Sequence, residues 1–325
     1  MTITTSLPPI LPPVLWQMVQ IVLALATAPL ITGYVRWLKA RLNGRRGASV
    51  LQPYRDLYRL TQKEAVVAHS ASWIFRAAPY VVFAAAWLAA CLIPTFTTNI
   101  FLAPAADLIA LVALLAVGRF WLALAGMDVG TAFGGIGASR EMLIASLAEP
   151  AMLMVSFSLS LVSGTTQPAQ IVAFVLSGNV GIEVSIGLAL AAMVMVAIAE
   201  NGRIPIDNPS THLELTMVHE AMVLEYSGRH LAMIEAAAMV KLTLYMALIA
   251  CLFAPWGMAL PGAGPVGVAI GMASFLLKLG VLATALALFE TAIAKMRVFR
   301  YADFLGGALL LGLLATIFLY VSEAV

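Results

Sequence analysis

The sequence predicts an all-α integral membrane protein of about eight transmembrane helices, with a cytoplasmic amphipathic helix and a long acidic cytoplasmic loop. Three observations predict it. Of 325 residues, 62% are hydrophobic and 10% charged, with a mean hydropathy of +0.98, where a soluble domain carries roughly a quarter charged residues. Apolar runs recur along the whole length, each near the ~20 residues that cross a ~30 Å hydrocarbon core. The connections between those runs alternate between strongly basic and free of Lys and Arg.

The expected spans are Val14 to Tyr34, Trp73 to Pro94, Pro104 to Ala125, Met142 to Ser163, Val184 to Ala199, Met233 to Ala254, Val266 to Phe289 and Phe304 to Val321. Together they form one polytopic domain, 1–325. The first connection carries Arg36, Lys39, Arg41, Arg45, Arg46, Arg55, Arg59 and Lys63, with Arg76 just inside the second span. Arg140 follows the third span, Arg203 and Arg229 the fifth, and Lys295, Arg297 and Arg300 the seventh. The connections Thr95 to Ala103, Gly164 to Glu183 and Pro255 to Pro265 hold no Lys or Arg. Positive charge stays on the cytoplasmic side of an inner membrane, so both termini are expected outside. Ala26-Thr27-Ala28 resembles a signal cleavage site, yet no basic residue precedes Arg36, so the first span is expected to be retained.

Within the first connection, residues 49–64 have helical periodicity. Val50, Tyr54, Leu57, Tyr58 and Thr61 share one face, with Gln52, Arg55, Asp56, Arg59 and Lys63 largely opposite, and Pro53 fits the first turn. Such a helix lies in the interface and offers its cations to lipid phosphates or to a soluble partner. Gly126 through Glu141, GMDVGTAFGGIGASRE, is Gly-rich without the Lys-Ser/Thr of a phosphate loop and reads as a flexible cytoplasmic loop leading into the fourth span. The connection over 200–230 contains Glu200, Asp207, Glu214, Glu220 and Glu225. Pro205 and Pro209 predict an extended start, and a helix is expected from about His212 to Tyr226.

Arg119, Glu149, Glu235, Lys241, Lys278 and Glu290 fall inside spans. A charge at the bilayer centre costs ~2.5 to 3.5 kcal/mol on insertion scales, so each marks a functional position, an interfacial one or a paired one. Carboxylates and lysines spread over several helices, with water between them, are what a proton relay requires. The two thiols, Cys91 and Cys251, lack any CxxC partner and read as packing residues, with a disulfide between them left open.

Several strings carry a resemblance. GRRGASVLQPYRDLYRL and ENGRIPIDNP followed by HLELTMVHEAMVLEYSGRH resemble subunit 1 of respiratory complex I. GGIGASREM, DNPSTHLELTMVHEAMVLEYSGRH and FETAIAKMRVFRYADFLG look closer to the membrane subunits of formate hydrogenlyase and other group 4 nickel-iron hydrogenases. The resemblance implies a non-catalytic membrane subunit of an energy-converting oxidoreductase, with no cofactor of its own. Iron-sulfur clusters and nickel-iron chemistry would sit in partner subunits: hydrogenase-like large and small subunits and an iron-sulfur subunit on the cytoplasmic side. Antiporter-like membrane subunits would adjoin it in the lipid bilayer, and no nucleic acid is implied. It implies that Glu141, Glu200, Asp207, Glu214, Glu220 and Glu225, in the matching stretches, are candidates for a proton or sodium path, to which Glu149, Lys241 and Lys278 are added as charges within spans. Arg45, Arg46, Arg55, Arg59, Arg140, Arg203 and Arg229 become candidates for docking the soluble arm. Where complex I subunits carry a more acidic string, this chain has Asn201-Gly202-Arg203 and Ser210-Thr211-His212, which favours the hydrogenase branch over a quinone chamber. A quinone-reactive complex I subunit is the alternative reading, and an autonomous secondary transporter is the alternative from another class. The transporter reading lacks an evident repeat between the two halves of the chain.

Overall fold

The computed structural model describes residues 11–178, 184–203, 218–293 and 301–324. Its regular structure over those residues is helical, with one isolated bridge between Thr97 and Ala259. In chain order the helices are α1 (Leu11–Leu42), α2 (Gln52–Thr61), α3 (Trp73–Leu92), α4 (Leu108–Asp128), α5 (Ala132–Ser163), α6 (Pro168–Leu176), α7 (Val184–Glu200), α8 (His219–Val223), α9 (Gly228–Leu252), α10 (Pro265–Ala292) and α11 (Tyr301–Ala324). Seven of them, α1, α3, α4, α5, α9, α10 and α11, are long and apolar enough to cross a membrane. The remaining expected span is α7, an apolar helix of 17 residues. At 1.5 Å per residue it reaches about 26 Å, a little short of the ~30 Å hydrocarbon core.

Three local expectations are corrected. First, α1 continues to Leu42, so Arg36, Lys39 and Arg41 ride on its last turns instead of in a loop. Lys, Arg, Leu and Ala are good helix formers, and the helix gives way only near Gly44, whose φ is +68°. Second, GMDVGTAFGGIGASRE is mostly helical: α4 runs to Asp128, and after a short turn the Thr131 hydroxyl accepts from Gly134 N at 3.0 Å to cap α5. Glycine's poor helix propensity is overridden by close packing. A Cβ on Gly134 would meet the Gly126 carbonyl oxygen at 2.5 Å, and one on Gly137 would meet the Val218 carbonyl oxygen at 2.9 Å. Glu141 therefore sits well inside α5, not at its start.

Third, α2 turns its inner face differently from the expected one. Pro53 is buried and Leu57 half-buried, while Tyr58 is 68% exposed beside Arg55 and Arg59. The reason is that α2 rests on α1 and α9, and the contact with protein sets its rotation. The lysine-free connection after α5 contains α6, which packs on α5 and α9. Of the helix expected over His212 to Tyr226, residues 212–217 lie outside the described residues, and over 218–226 only α8 is helical, so the helix ends at Val223, short of Tyr226.

The packing divides the bundle into two limbs. One comprises α1, α2, α9 and α10; the other comprises α4, α5, α7 and α11. Helix α3 packs on both α4 and α9 and joins the limbs most extensively; α6, against α5 and α9, and a lighter contact of α7 with α9 join them as well. The best-buried span is α9, with 72% of its apolar window inside the protein, whereas α10 and α11 have 28% and 33% and present most of their surface outward.

Connections of like charge character cluster at the same end. At the lysine-free end Thr98 N donates to Ala259 O at 3.1 Å, Leu108 N to Thr166 O at 3.1 Å, and Asp107 accepts from the Thr166 hydroxyl. At the basic end Asp128 accepts from Ser72 N at 2.8 Å, Ser227 bonds both backbone groups of Val66, and the Tyr226 hydroxyl donates to Phe75 O at 3.1 Å. Cys91 and Cys251 are free and buried.

Candidate functional site

Three helices each place one charged side chain in the interior at the same depth. Glu200, the last residue of α7, lies with one carboxylate oxygen 2.9 Å from Lys241 Nζ of α9 and the other 2.9 Å from Arg119 Nη1 of α4. Arg119 also reaches Glu149 of α5 at 3.6 Å. The Glu200 side chain is 2% exposed and that of Arg119 5%. Isolated charges so deep would cost several kcal/mol each, and here they persist because cation and anion arrive together. Tyr245, one turn along α9 from Lys241, is buried close enough to interact with both Glu200 and Arg119.

The cluster is not closed by protein contacts alone. Arg119 Nε has no hydrogen-bond partner, and Arg119 Nη1 and Glu200 Oε1 meet in poor hydrogen-bonding geometry despite their short separation. These atoms border a cavity of about 280 Å³, whose lining includes Glu141, Glu200, Lys241, Glu235, His219 and Glu220. A polar space of that size accommodates several ordered waters, which satisfy groups the protein leaves unpaired. Arg36 and Glu220, both exposed, line its other end, so the cavity joins the buried cluster to the basic face.

A second ion cluster stands beside the mouth. Glu290, near the end of α10, contacts Lys39 of α1 and lies 3.4 Å from Arg203, three residues past Glu200. Its side chain is 5% exposed.

Of the residues singled out from sequence, the structure brings together Glu141, Glu149, Glu200 and Lys241, with Glu220 at the cavity mouth. Glu225 stands apart and accepts from the Thr131 hydroxyl, which ties the segment after α8 to the start of α5. Lys278 is not part of the cavity wall and lies near Cys251. Asp207 and Glu214 lie outside the described residues. Arg45, Arg46, Arg55, Arg59 and Arg229 are exposed and Arg140 is half-buried; Arg59 pairs with Asp56 at 2.5 Å, and Arg203 is engaged by Glu290. Sequence reasoning noticed Arg119, Glu235 and Glu290 as charges within spans but gave them no place in the path. It passed over Arg36, His219 and Tyr245. The signal that could have found Tyr245 is its spacing of four from Lys241, which stacks both on one helical face. Among the described residues, no group of three or more His, Cys, Asp or Glu side chains is arranged to hold a metal ion.

Comparison with known proteins places these features. A protein-family model described as NADH dehydrogenase matches residues 16–321. Formate hydrogenlyase subunit 4 of Escherichia coli (strain K12) is 34% identical over 286 residues, covering 88% of this chain and 92% of its own length. Hydrogenase-4 component C of the same organism is 34% identical over 246 residues, covering 76% and 77%. Among solved structures, a chain of the membrane-bound sulfane sulfur reductase, an archaeal respiratory membrane complex, superposes with a TM-score of 0.77 at 19% identity, over 93% of this chain and 98% of that one. That last likeness is one of fold.

Proposed function

We propose, because the chain belongs to the NADH dehydrogenase subunit 1 family, that it is the membrane subunit of a respiratory complex of the hydrogenase-4 and formate hydrogenlyase type. In this reading it docks a soluble redox arm on its basic face and carries part of a proton or sodium path. Both termini face outward from the cytoplasmic membrane, and the basic connections face the cytoplasm. Redox cofactors belong to the partners: hydrogenase-like large and small subunits and an iron-sulfur subunit. Antiporter-like membrane subunits continue the ion path.

One observation supports the path: Glu200 is held between Arg119 and Lys241 at the inner end of a cavity that reaches the basic face past Glu141, Glu235 and Glu220. A buried carboxylate shared by two cations takes up a proton from water in the cavity when either cation withdraws and releases it when the cation returns, because its affinity for the proton depends on both. A redox step that displaces the mouth residues would then alter occupancy deeper in the membrane, which is coupling in the thermodynamic sense.

The test is a complex purified through a tag on this chain and reconstituted in liposomes, comparing Glu200→Gln and Glu141→Gln with the unchanged protein. Redox turnover is expected to persist while ion translocation falls at least tenfold. Undiminished translocation in an assembled complex would overturn the path, and loss of the soluble arm from the variants would leave docking as the role of this face.

A further inference from the structure

The Lys39–Glu290–Arg203 cluster joins the two limbs of the bundle between α10 and the end of α7. Glu290 belongs to α10, which packs on α1 and α9; Arg203 follows α7, which packs on α5 and α11 and, more lightly, on α9. Elsewhere the limbs are joined through α3, α6 and the α7–α9 contact. Between α10 and α7 the Glu290 carboxylate reaches across and holds Arg203, while Lys39 holds Glu290 from its own limb.

Three features tie that contact to the cavity. Arg203 lines the cavity, together with Asn201 and Gly202 just before it. Arg203 is three residues past Glu200, so whatever fixes Arg203 also fixes the end of α7 that carries Glu200. The end of α7 is held from its own limb by the Tyr301 hydroxyl, which donates to Ala199 O at 2.8 Å and ties α7 to α11. The Glu290 side chain is nearly inaccessible to water despite lying two residues from the end of its helix. A carboxylate in such a place holds strongly to its cations, since removing them leaves a buried uncompensated charge.

We propose that Lys39, Glu290 and Arg203 form an electrostatic latch that holds the two limbs together at the cytoplasmic mouth, and that Glu290 is a positioning residue for Glu200. With the latch made, the mouth is narrow and Glu200 is held against Arg119 and Lys241. With the latch broken, the α7–α11 pair is released from α10, the mouth widens, and the end of α7 loosens. The inference rests on the reading of the cavity as an ion path only for its purpose. The latch itself is a statement about opening and is measured without translocation.

The experiment uses the full chain in inverted membrane vesicles, with Cys91 and Cys251 changed to Ala and a single probe, Ala238→Cys, in the cavity wall. Its rate of modification by a soluble maleimide is compared with and without Glu290→Gln. About a tenfold faster modification is expected when the latch is removed, together with faster deuterium exchange in the peptide ending at Arg203 and no change in the middle of α5. Glu290→Asp, which keeps the charge, is expected to restore most of the slow rate. Equal modification and equal exchange in the two proteins would overturn the latch. If Glu290→Gln does not accumulate in the membrane, Arg203→Gln is measured instead, with the same two outcomes, because it cuts the inter-limb contact and leaves Glu290 paired with Lys39. An opened mouth with undiminished translocation would keep the latch and discard the path, and the reverse result would do the opposite.

Discussion

Glu200 and Lys241 meet in the middle of the bundle with Oε2 and Nζ 2.9 Å apart, one at the end of α7 and the other halfway along α9. Arg119 completes the grouping from the opposite side of the carboxylate. Removing the anion should therefore leave two cations facing each other with no counter-charge between them. Glu200→Gln is expected to destabilise the protein by about 3 to 5 kcal/mol, the range for breaking a buried pair. Lys241→Met in the same chain should recover a large part of that loss, with a coupling of about 1 to 3 kcal/mol between the two substitutions. Thermal unfolding of the detergent-solubilised single and double variants measures it, and strictly additive shifts would show that the pair does not interact energetically.

At the basic end the Phe75 and Tyr226 rings stack 4.0 Å apart and 2° from parallel, while the Tyr226 hydroxyl donates to the Phe75 carbonyl. This joins the segment entering α9 to the first turn of α3. Tyr226→Phe keeps the stack and loses one hydrogen bond, an expected cost of about 1 kcal/mol; Tyr226→Ala loses both, about 3 to 5 kcal/mol. Burial, with the nearby Asp128 charge adding to it, pushes the Tyr226 phenol above its ordinary value. The sign follows: the folded protein binds this proton more tightly than the unfolded chain, so the contribution is complete below pH ~10 and is lost only as pH rises above it. Unfolding midpoints of the wild type and Tyr226→Phe should keep a constant difference from pH 6 to 9, and a difference that shrank over that window would contradict the assignment.

How far the sequence led differs by level. The spans were legible because hydropathy and basic-loop asymmetry are local sums, and helices now occupy the positions of all the expected spans. The start of α5 was not legible, since Gly134 and Gly137 lower local helix propensity and only their contacts with Gly126 and Val218 explain the helix. The rotation of α2 was likewise set by the helices beneath it. For the site, the types of residue were visible as charges in apolar runs, but their partners were not. Arg119, Glu200 and Lys241 are far apart in the chain, and pairing across helices depends on relative depth and rotation, which periodicity does not supply. Glu200 itself was assigned to a loop, because the helical run before it is apolar and the carboxylate looked like its boundary.

Gly33 lies where the loop before α2 crosses α1. A Cβ there would stand 1.9 Å from the Val50 carbonyl oxygen and 3.1 Å from Cδ of Pro53, both held by α2 against the bundle. Gly33→Ala should push α2 off α1 at a cost of about 1 to 3 kcal/mol, the usual range for overpacking. Limited proteolysis from the cytoplasmic side should then cut within 43–64 faster than in the wild type, with the remaining spans equally protected; unchanged cleavage would mean that the loop relaxes without releasing α2.

The orientation makes a prediction that needs no partner. Val66, 75% exposed, sits among the basic connections, and Phe101, 56% exposed, sits at the lysine-free end. In a background without Cys91 and Cys251, Phe101→Cys should react with a membrane-impermeant maleimide in intact cells and Val66→Cys only in inverted vesicles. The opposite pattern would place the termini in the cytoplasm and invert the positive-inside assignment.

The exposed face of α2 offers Arg55 and Arg59 around Tyr58, with Arg45 and Arg46 exposed in the turn before it. Asp56 draws on Arg59, so Arg55 is the cation with more to gain from an acidic partner. If this face docks the soluble arm, Arg55→Glu should weaken the association about tenfold or more at low salt, because it replaces an attraction with a like-charge contact. Arg59→Gln should weaken it less than Arg55→Gln, since the Arg59 guanidinium is already engaged by Asp56 in an exposed pair worth less than about 1 kcal/mol. The wild-type association should weaken as ionic strength passes ~0.15 M, where charges more than about 8 Å apart are screened, and the Arg55→Glu protein should show a flatter dependence. Co-purification of the soluble subunits with the tagged chain over a salt series measures all three; equal retention by wild type and Arg55→Glu at every salt concentration would move the docking surface away from α2.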